Sequence, residues 1–297
     1  MGSGGAIITI KGDGIERADV VAAKGGRSVS VCIPCRDEGA TIGPIVAAIR
    51  RELMSGSGPL VDELVVVDDD SSDDTAAVAA AAGATVAPIA GIDHPYGSGR
   101  GKGNALWASL LASRGDVVVW CDGDVTTFDP EWIVRLAAPL LADPGLALVK
   151  GAFRRPTADG GGGRTTELVA RPLLSLYFPE LAALSQPLAG EYAVRRSVVE
   201  QLPFVTGWGV EVALLIDISG RHGAGAIAQV DLGERRHRHR PLHDLSVQAA
   251  EVMATVLSRT PAGKPFAADD PVLRRADGTT VELALSERPP VVEVVER

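Results

Sequence analysis

The sequence is poor in cysteine, has no excess of positive charge and contains no long apolar run. Its three cysteines lie in or beside segments predicted as core strands, which indicates buried thiols of a reducing compartment; they are Cys32, Cys35 and Cys121. A formal net charge of −9 argues against broad nucleic-acid binding. Because we find no signal-peptide pattern and no apolar run of about 18 residues, we expect a cytoplasmic protein that does not span a membrane.

The spacing of Cys32 and Cys35 is that of redox motifs, but the pair lies on a strand followed by a turn. Redox pairs of this spacing stand at the start of a helix, so we expect no redox role. The chain is rich in apolar residues, which make up 46% of its 297 residues and can form a hydrophobic core. That is enough for one elaborated globular domain.

The most informative stretch is the run Val117–Asp124, VVVWCDGD. Three β-branched residues and a tryptophan predict a strand buried on both faces, as in a parallel sheet. Two carboxylates, Asp122 and Asp124, follow it, and Asp129-Pro130 then predicts the start of a helix. Carboxylates at the carboxyl end of a parallel strand lie where such sheets bind ligands, and they suit Mg²⁺ or Mn²⁺. The alternative is a solvated turn.

Strands and helices alternate through the first half of the chain, which predicts an α/β fold with a mostly parallel, doubly wound sheet. The predicted strands are 28–34, 63–67, 84–89, 117–120 and 146–153, and the predicted helices 41–54, 74–82 and 104–114. The pattern then changes. It predicts bent helical residues 167–184, helices 197–202, 208–220 and 243–259, and a strand 227–232.

Acidic residues also follow the strand at 63–67. Asp73 and its neighbours are explained by capping of the next helix. Asp68 and Asp69 are not, and they are placed to accept hydrogen bonds from a base or a ribose.

A glycine-rich segment follows the strand at 84–89 and contains Lys102 between two glycines. It is not a Walker A loop, because the spacing differs and no Ser or Thr follows the lysine. Its glycines, its lysine and the start of the next helix nevertheless form an arrangement suited to an anion. The alternative is a mobile surface loop.

Two later segments are also candidates for binding anions. Arg164, Thr165 and Thr166 open a helix after a run of glycines, which suits a small dianion or carboxylate, although ordinary capping by Thr165 is an equal explanation. The segment 234–240 carries four arginines and two histidines. It is either a solvated charged face or a source of positive potential for phosphates, with a neutral imidazole available to a metal.

Together these residues could hold a base, a diphosphate and a cation in one crevice, which is what a nucleotide-sugar donor requires. The cation would act as a Lewis acid on the diphosphate leaving group. No side chain stands out as a nucleophile.

The motifs resemble a known family. PCRDE at 34–38, DDDSSDDT at 68–75, GKG at 101–103 and DGD at 122–124 resemble GT-A fold glycosyltransferases. QPLAGE at 186–191, WGVE at 208–211 and the run from QVDLG at 229–233 to HRHRP at 237–241 are similar to glucosyl-3-phosphoglycerate synthases and their mannosyl relatives. The resemblance covers residues 28–260.

The resemblance implies a GT-A type fold, with a Rossmann-like, mostly parallel sheet, helices on both faces and a C-terminal acceptor-binding part. It implies a nucleotide-sugar-binding half at 28–155 and an acceptor- and metal-binding half at 156–260. Outside the resemblance, the glycine-rich, weakly patterned residues 1–27 predict a flexible N-terminus, and the proline-containing residues 261–297 predict a tail or an edge strand. It also implies a retaining transfer of glucose from UDP-glucose, or of mannose from GDP-mannose, to the 2-hydroxyl of 3-phosphoglycerate with a divalent cation.

The resemblance assigns residues by position. The metal ligands would be Asp124 and His237. The nucleotide sugar would be held by Pro34, Cys35, Arg36, Asp37, Glu38, Asp69, Lys102, Asp122, Gly123, Trp208, Gly209, Val210 and Glu211. The acceptor would be held by Gly163, Arg164, Thr165, Thr166 and His239. Catalysis would involve Asp124, Glu211 and the backbone carbonyl of Leu188, which positions the acceptor hydroxyl.

Two positions depart from the family pattern: His239 stands where it has Asn, and Asp69 where it often has Ser. The acceptor is therefore less firmly indicated than the donor, and glycerate or another small phosphorylated acceptor is an alternative. Other interpretations are a polyprenyl-phosphate glycosyltransferase, a nucleotidyltransferase and a silent sugar-nucleotide-binding subunit. The first usually has a membrane helix or a basic amphipathic stretch, which we do not find. We expect a homodimer, with apolar helices at 167–184 and 243–259 as the interface.

Overall fold

The fold is described from a computed structural model, which covers residues 5–92, 96–97, 99–154, 163–235, 242–263 and 271–295. Two residues of the predicted site, His237 and His239, lie outside these ranges, as do the glycines at 160–162.

One large sheet organises the described part of the chain, and its eight strands run in the order β1-β9-β6-β7-β5-β2-β3-β4. All neighbours pair in parallel except β7, which is antiparallel to both β5 and β6. The predicted mostly parallel sheet is therefore confirmed. The strands are β1 Ile8–Ile10, β2 Val29–Cys35, β3 Glu63–Asp68, β4 Thr85–Pro88, β5 Val117–Trp120, β6 Leu148–Arg154, β7 Tyr192–Arg195, β8 Phe204–Val205 and β9 Ile227–Glu234, with β8 outside this sheet.

Helices cover both faces of the sheet, as predicted. They are α1 Arg17–Lys24, α2 Gly39–Leu53, α3 Thr75–Ala82, α4 Ile89–Ile92, α5 Lys102–Ala112, α6 Glu131–Ala142, α7 Arg171–Tyr177, α8 Arg196–Val199, α9 Val210–His222, α10 Leu242–Ser258 and α11 Val291–Val295. A π-helical turn, Thr166–Ala170, precedes α7, and a 3-10 turn, Pro179–Leu181, follows it.

The core is divided by the sheet into two apolar layers. Along β5, Val117 and Val119 pack into the layer that α2 and α6 cover, whereas Val118 and Trp120 pack into the layer beneath α5 and α9. All four side chains are fully buried. A strand with both faces buried needs apolar residues at every position, which is why its sequence does not alternate.

The start of α6 shows how the loop after β5 is held. The backbone N–H of Glu131 donates to the carboxylate of Asp129 at 2.9 Å, as the predicted cap requires. The loop that carries Asp122 and Asp124 is thus short and fixed at both ends.

The N-terminal region differs from the prediction. Residues 8–24 were expected to be flexible, but β1 pairs with β9 and α1 packs against α6. The prediction was wrong here because a three-residue strand has almost no pattern of its own. Its hydrogen-bonding partner lies about 220 residues further along the chain, at Ala228 to Val230.

The C-terminal region, predicted as a tail or an edge strand, does supply short strands. Val272–Arg274 (β10) pairs with Thr280–Glu282 (β11), and Glu287–Arg288 (β12) pairs antiparallel with β8. Arg288 is buried and Trp107 donates its indole N–H to the carbonyl of Pro289, so this segment is part of the packed domain. In the described residues, no helix combines the length and the apolar character that crossing a membrane requires.

Candidate active site

The candidate site lies where three parallel strands end at the same edge of the sheet. β2 pairs with β3 on one side and with β5 on the other, so the segments after these strands converge. They surround a cavity of about 380 Å³. Its lining residues are Pro34, Cys35, Arg36, Asp37, Glu38, Asp69, Gly101, Lys102, Ala105, Asp122, Gly123, Asp124 and Trp208. The predicted donor residues thus line this cavity, except for Gly209, Val210 and Glu211, which follow Trp208 at the start of α9.

Two glycines allow the acidic loop to pack tightly. A Cβ atom on Gly123 would lie 2.6 Å from the sulfur of Cys35, so only glycine fits between the two aspartates. A Cβ atom on Gly190 would lie 2.0 Å from Oδ1 of Asp122, so the turn before β7 approaches that carboxylate directly. This turn also carries Leu188, which is not among the residues that line the cavity.

The carboxylate of Asp122 is held by two cations. Its Oδ1 accepts from the ammonium of Lys102 at 2.8 Å, and its Oδ2 accepts from the guanidinium of Arg235 at 2.7 Å. Burial alone would raise the pKa of Asp122, but the two cations outweigh it and hold the pKa well below its ordinary value. Asp122 is therefore charged, and both of its oxygens are engaged.

Lys102 reaches this position because the glycines on either side of it pack on the backbone that follows β8. Gly101 has φ +104°, and a Cβ atom on Gly103 would lie 1.8 Å from the carbonyl oxygen of Val205. The ammonium also lies 2.7 Å from Oε1 of Glu211, which is 3% exposed. Burial tends to lower the pKa of Lys102, but the two carboxylates raise it. Lys102 is thus a cation with two carboxylate partners, Asp122 and Glu211, which differs from the alternative of a lysine on a mobile surface loop.

Arg235 is a residue of the site that the sequence pattern did not single out. It directly follows β9 and is the last residue described before the gap at 236–241. Its side chain is 4% exposed. Besides Asp122, it pairs with Glu191 at 2.9 Å and lies 3.7 Å from Oδ1 of Asp124. Burial raises the pKa of Glu191 to about 7 although Arg235 opposes the shift. The sequence feature that could have indicated Arg235 is its position, because it directly follows a buried strand of the same sheet.

The described residues offer Asp124 as a ligand for a hard cation. Its carboxylate lines the cavity and is 22% exposed, whereas both oxygens of Asp122 are occupied by cationic side chains. Carboxylate oxygen is a donor that Mg²⁺ and Mn²⁺ accept. Among the residues that the structure describes, no three His, Cys, Asp or Glu side chains form a metal cluster. A site at Asp124 needs further ligands, and the predicted one, His237, lies beyond the described part of β9.

The remaining loop residues tie the strand ends to one another. Asp37 has φ +56°, and its Oδ1 accepts from the backbone N–H of Ser72 at 2.7 Å. Hydrogen bonding to Ser72 lowers the pKa of Asp37. Arg36 lies 3.9 Å from the buried carboxylate of Asp69, and both face the cavity. Asp37 therefore connects two loops, while Arg36 and Asp69 form one wall of the cavity.

The predicted acceptor residues form a separate group at the start of the π-helical turn. Gly163 has φ +78° and accepts from the N–H of Glu167, while Thr165 and Thr166 are buried. The hydroxyl of Thr165 donates to Gln248 of α10 at 3.4 Å. Within the described ranges, Gly163, Arg164, Thr165 and Thr166 do not line the cavity at Asp122.

A family model and known proteins match this chain. The model described as glycosyl transferase family 2 matches residues 30–202. The chain is 44% identical over 291 residues to the glucosyl-3-phosphoglycerate synthase of Mycolicibacterium paratuberculosis, covering 92% of this chain and 87% of that protein. It is 46% identical over 250 residues to the Mycobacterium tuberculosis protein of the same name, covering 81% and 76% of the two chains.

Solved structures are similar over nearly the whole chain. The crystal structure of the M. tuberculosis glucosyl-3-phosphoglycerate synthase with Mn²⁺ and UDP-glucose superposes with a TM-score of 0.86 at 42% identity, covering 98% of this chain and 99% of that one. Its complex with Mn²⁺, UDP and glucosyl-3-phosphoglycerate gives a TM-score of 0.87, with coverage of 99% and 100%.

Proposed function

Because the chain belongs to glycosyl transferase family 2 and, within it, to the glucosyl-3-phosphoglycerate synthases, we propose that it transfers glucose from UDP-glucose to 3-phosphoglycerate. The product is glucosyl-3-phosphoglycerate, and the enzyme is a metal-dependent hexosyltransferase. We further propose that the acceptor atom is the 2-hydroxyl oxygen and that the anomeric configuration is retained. GDP-mannose as donor, with mannosyl transfer, is the alternative.

The observation that carries the proposal is the cavity at the carboxyl ends of β2, β3 and β5. It combines a charged pair, Arg36 and Asp69, with an ion-paired cluster around Asp122 and an aspartate that can accept a cation. A nucleoside diphosphate sugar has a polar base, an anionic diphosphate and a polar hexose. The base would face Arg36 and Asp69, the diphosphate would face a cation at Asp124, and the hexose would lie near the cluster around Asp122. The relative from M. tuberculosis has been solved with Mn²⁺, UDP-glucose and phosphoglyceric acid.

A divalent cation supplies charge neutralisation for the diphosphate as it leaves. Asp124 and His237 would hold it. Lys102 and Arg235 keep Asp122 ionised and hold its carboxylate in place. Glu211, held in place by Lys102, would accept hydrogen bonds from glucose hydroxyls.

The acceptor is proposed to bind between the cavity at Asp122 and the group of residues at the start of the π-helical turn. Gly163, Arg164, Thr165, Thr166 and His239 would hold its phosphate and carboxylate. Leu188 lies two residues before Gly190, which packs against Asp122. The Nζ of Lys150 donates to the carbonyl of Ala189 at 2.6 Å and helps to fix this turn. The carbonyl of Leu188 would orient the acceptor hydroxyl.

We also propose that the protein is a homodimer in the cytoplasm. Four large apolar side chains are exposed on the π-helical turn, α7 and α10: Leu168 (72%), Leu176 (75%), Tyr177 (49%) and Met253 (43%). These elements pack on one another, so the four side chains lie on neighbouring elements. Apolar surface of this kind is typical of an interface. Three buried, free cysteines suit a reducing compartment.

The test is a panel of UDP-glucose, GDP-glucose and GDP-mannose against 3-phosphoglycerate and glycerate, with the product mass measured. We expect glucosyl-3-phosphoglycerate and UDP in equal amounts, with no product when the cation is chelated. Transfer to glycerate but not to 3-phosphoglycerate would reject the acceptor assignment. Product from GDP-mannose in preference to UDP-glucose would reject the donor assignment.

A further inference from the structure

Glu251 on α10 connects the donor cavity to the C-terminal segment through one buried side chain. Its Oε2 accepts from the backbone N–H of Trp208 at 2.8 Å, and its Oε1 accepts from the backbone N–H of Ala284 at 2.9 Å. The residue is 3% exposed and is not a lining residue of the cavity. It therefore does not line the donor cavity, and its direct link to a lining residue is the hydrogen bond from the backbone of Trp208.

The loop that contains Trp208 rests directly on α10. A Cβ atom on Gly207 would lie 2.2 Å from Oε2 of Glu251, and one on Gly209 would lie 2.0 Å from the hydroxyl of Thr255. The loop backbone is thus in direct contact with the side chains of Glu251 and Thr255 on α10. The Trp208 backbone is held against α10 at Gly207 and Gly209 as well as by its hydrogen bond to Glu251.

The C-terminal residues 284–289, here called the strap, hold the same loop from its other side. The N–H of Thr206 donates to the carbonyl of Ser286 at 2.9 Å. Arg288 donates to Oδ1 of Asn104 at 2.6 Å and to the carbonyl of Gly97 at 3.0 Å. The strap therefore contacts both the loop before Trp208 and the segment around Lys102.

We propose that Glu251 is a positioning residue for the donor's sugar: by bonding Trp208 to the strap, it fixes the Trp208–Glu211 segment against the glucosyl group. This inference rests on the proposed function, which places that segment at the glucose. Uridine and diphosphate lie, by the same proposal, against the ends of β2, β3 and β5, which Glu251 does not touch. Glu251 should therefore matter for UDP-glucose and not for UDP.

The test is the affinity of the full-length protein for UDP-glucose and for UDP, each measured by calorimetry with Mn²⁺ for wild type and Glu251→Gln. An amide presents one oxygen where the carboxylate presents two, so one of the two N–H groups loses its acceptor. Losing a hydrogen bond to a buried charged group weakens binding by about ten-fold. We expect that loss for UDP-glucose and a change below about two-fold for UDP.

The matched control is Glu287→Gln, on the strap itself. Its carboxylate is 44% exposed and pairs with Arg259, and in the described structure it does not hydrogen-bond to the Trp208 loop. We expect both affinities to stay at the wild-type values. Thermal unfolding of each variant verifies that it is folded. If Glu251→Gln does not fold, Glu251→Asp replaces it, because it keeps the charge but is one methylene too short to reach both N–H groups.

A purely structural role for Glu251 predicts a lower melting temperature with an unchanged ratio of the two affinities. That outcome, or an equal loss for UDP-glucose and UDP in a folded variant, would overturn the proposal. Glucosyl transfer by the wild-type protein, measured in the same preparation, reports on the proposed function separately. A selective loss for UDP-glucose supports the positioning role.

Discussion

The guanidinium of Arg235 lies 2.7 Å from Oδ2 of Asp122, although the two residues are 113 positions apart. With Lys102 on the other oxygen, it makes Asp122 an internal counter-ion rather than an open ligand. The two aspartates of the DGD motif therefore have different roles. Both line the cavity, but the two oxygens of Asp122 are engaged by cationic side chains, so Asp122 holds the site together and Asp124 is the candidate ligand.

The first prediction concerns stability. Asp122→Asn leaves Lys102 and Arg235 without this charged partner, and both are largely buried. Removing one partner of a buried ion pair is strongly destabilising. Because the carboxylate of Asp122 is 21% exposed, we expect the free energy of unfolding to fall by about 2 kcal/mol. Asp124→Asn should lower the free energy of unfolding much less. Urea unfolding of both variants measures the difference. Equal losses would contradict the division of roles.

The second prediction concerns the acceptor. Arg164→Ala should raise the KM for 3-phosphoglycerate by about ten-fold or more, because an arginine–phosphate contact is charge-assisted. The KM for UDP-glucose should change much less. Arg51→Ala is the control, since Arg51 is exposed on α2 and pairs with its neighbour Glu52. Similar increases in both KM values would argue against an acceptor role for Arg164.

The third prediction concerns Lys150, which is 1% exposed and lies over the ring of Tyr192 at 4.0 Å. Burial lowers its pKa from 10.5 to about 7. Between these values the unfolded chain binds a proton that the folded chain has released, so the free energy of unfolding rises with pH in this window. The melting temperature of wild type should rise relative to Lys150→Met from pH 7 to pH 10. A constant difference would show that Lys150 stays charged.

The fourth prediction concerns assembly. Leu176 is 75% exposed on α7, and Leu168 is 72% exposed on the preceding turn. If these residues lie in a dimer interface, Leu168→Glu combined with Leu176→Glu would bury two unpaired charges and prevent association. Light scattering coupled to size exclusion should give the dimer mass for wild type and the monomer mass for the double variant. A monomeric wild type would reject the proposed dimer.

Much of the fold and part of the site could be predicted because the signals are local. The β-branched run before Asp122 predicts a buried strand, and the glycines around Lys102 predict a close approach of backbone. Arg235 could not be predicted as a partner of Asp122, because a basic run has the same sequence pattern in a buried site as on a solvated face. The same holds for β1 and for Glu251, whose partners are distant in sequence.

The central claim is that Asp124 holds the divalent cation against the diphosphate of the donor. The most direct measurement is the affinity for UDP by calorimetry, with and without Mn²⁺, in wild type and in Asp124→Asn. Mn²⁺ should tighten UDP binding by wild type by about 100-fold, since one well-placed electrostatic contact is worth about 3 kcal/mol. Asp124→Asn should bind UDP with the same affinity with or without Mn²⁺. A full Mn²⁺ effect in a folded Asp124→Asn variant would contradict the account.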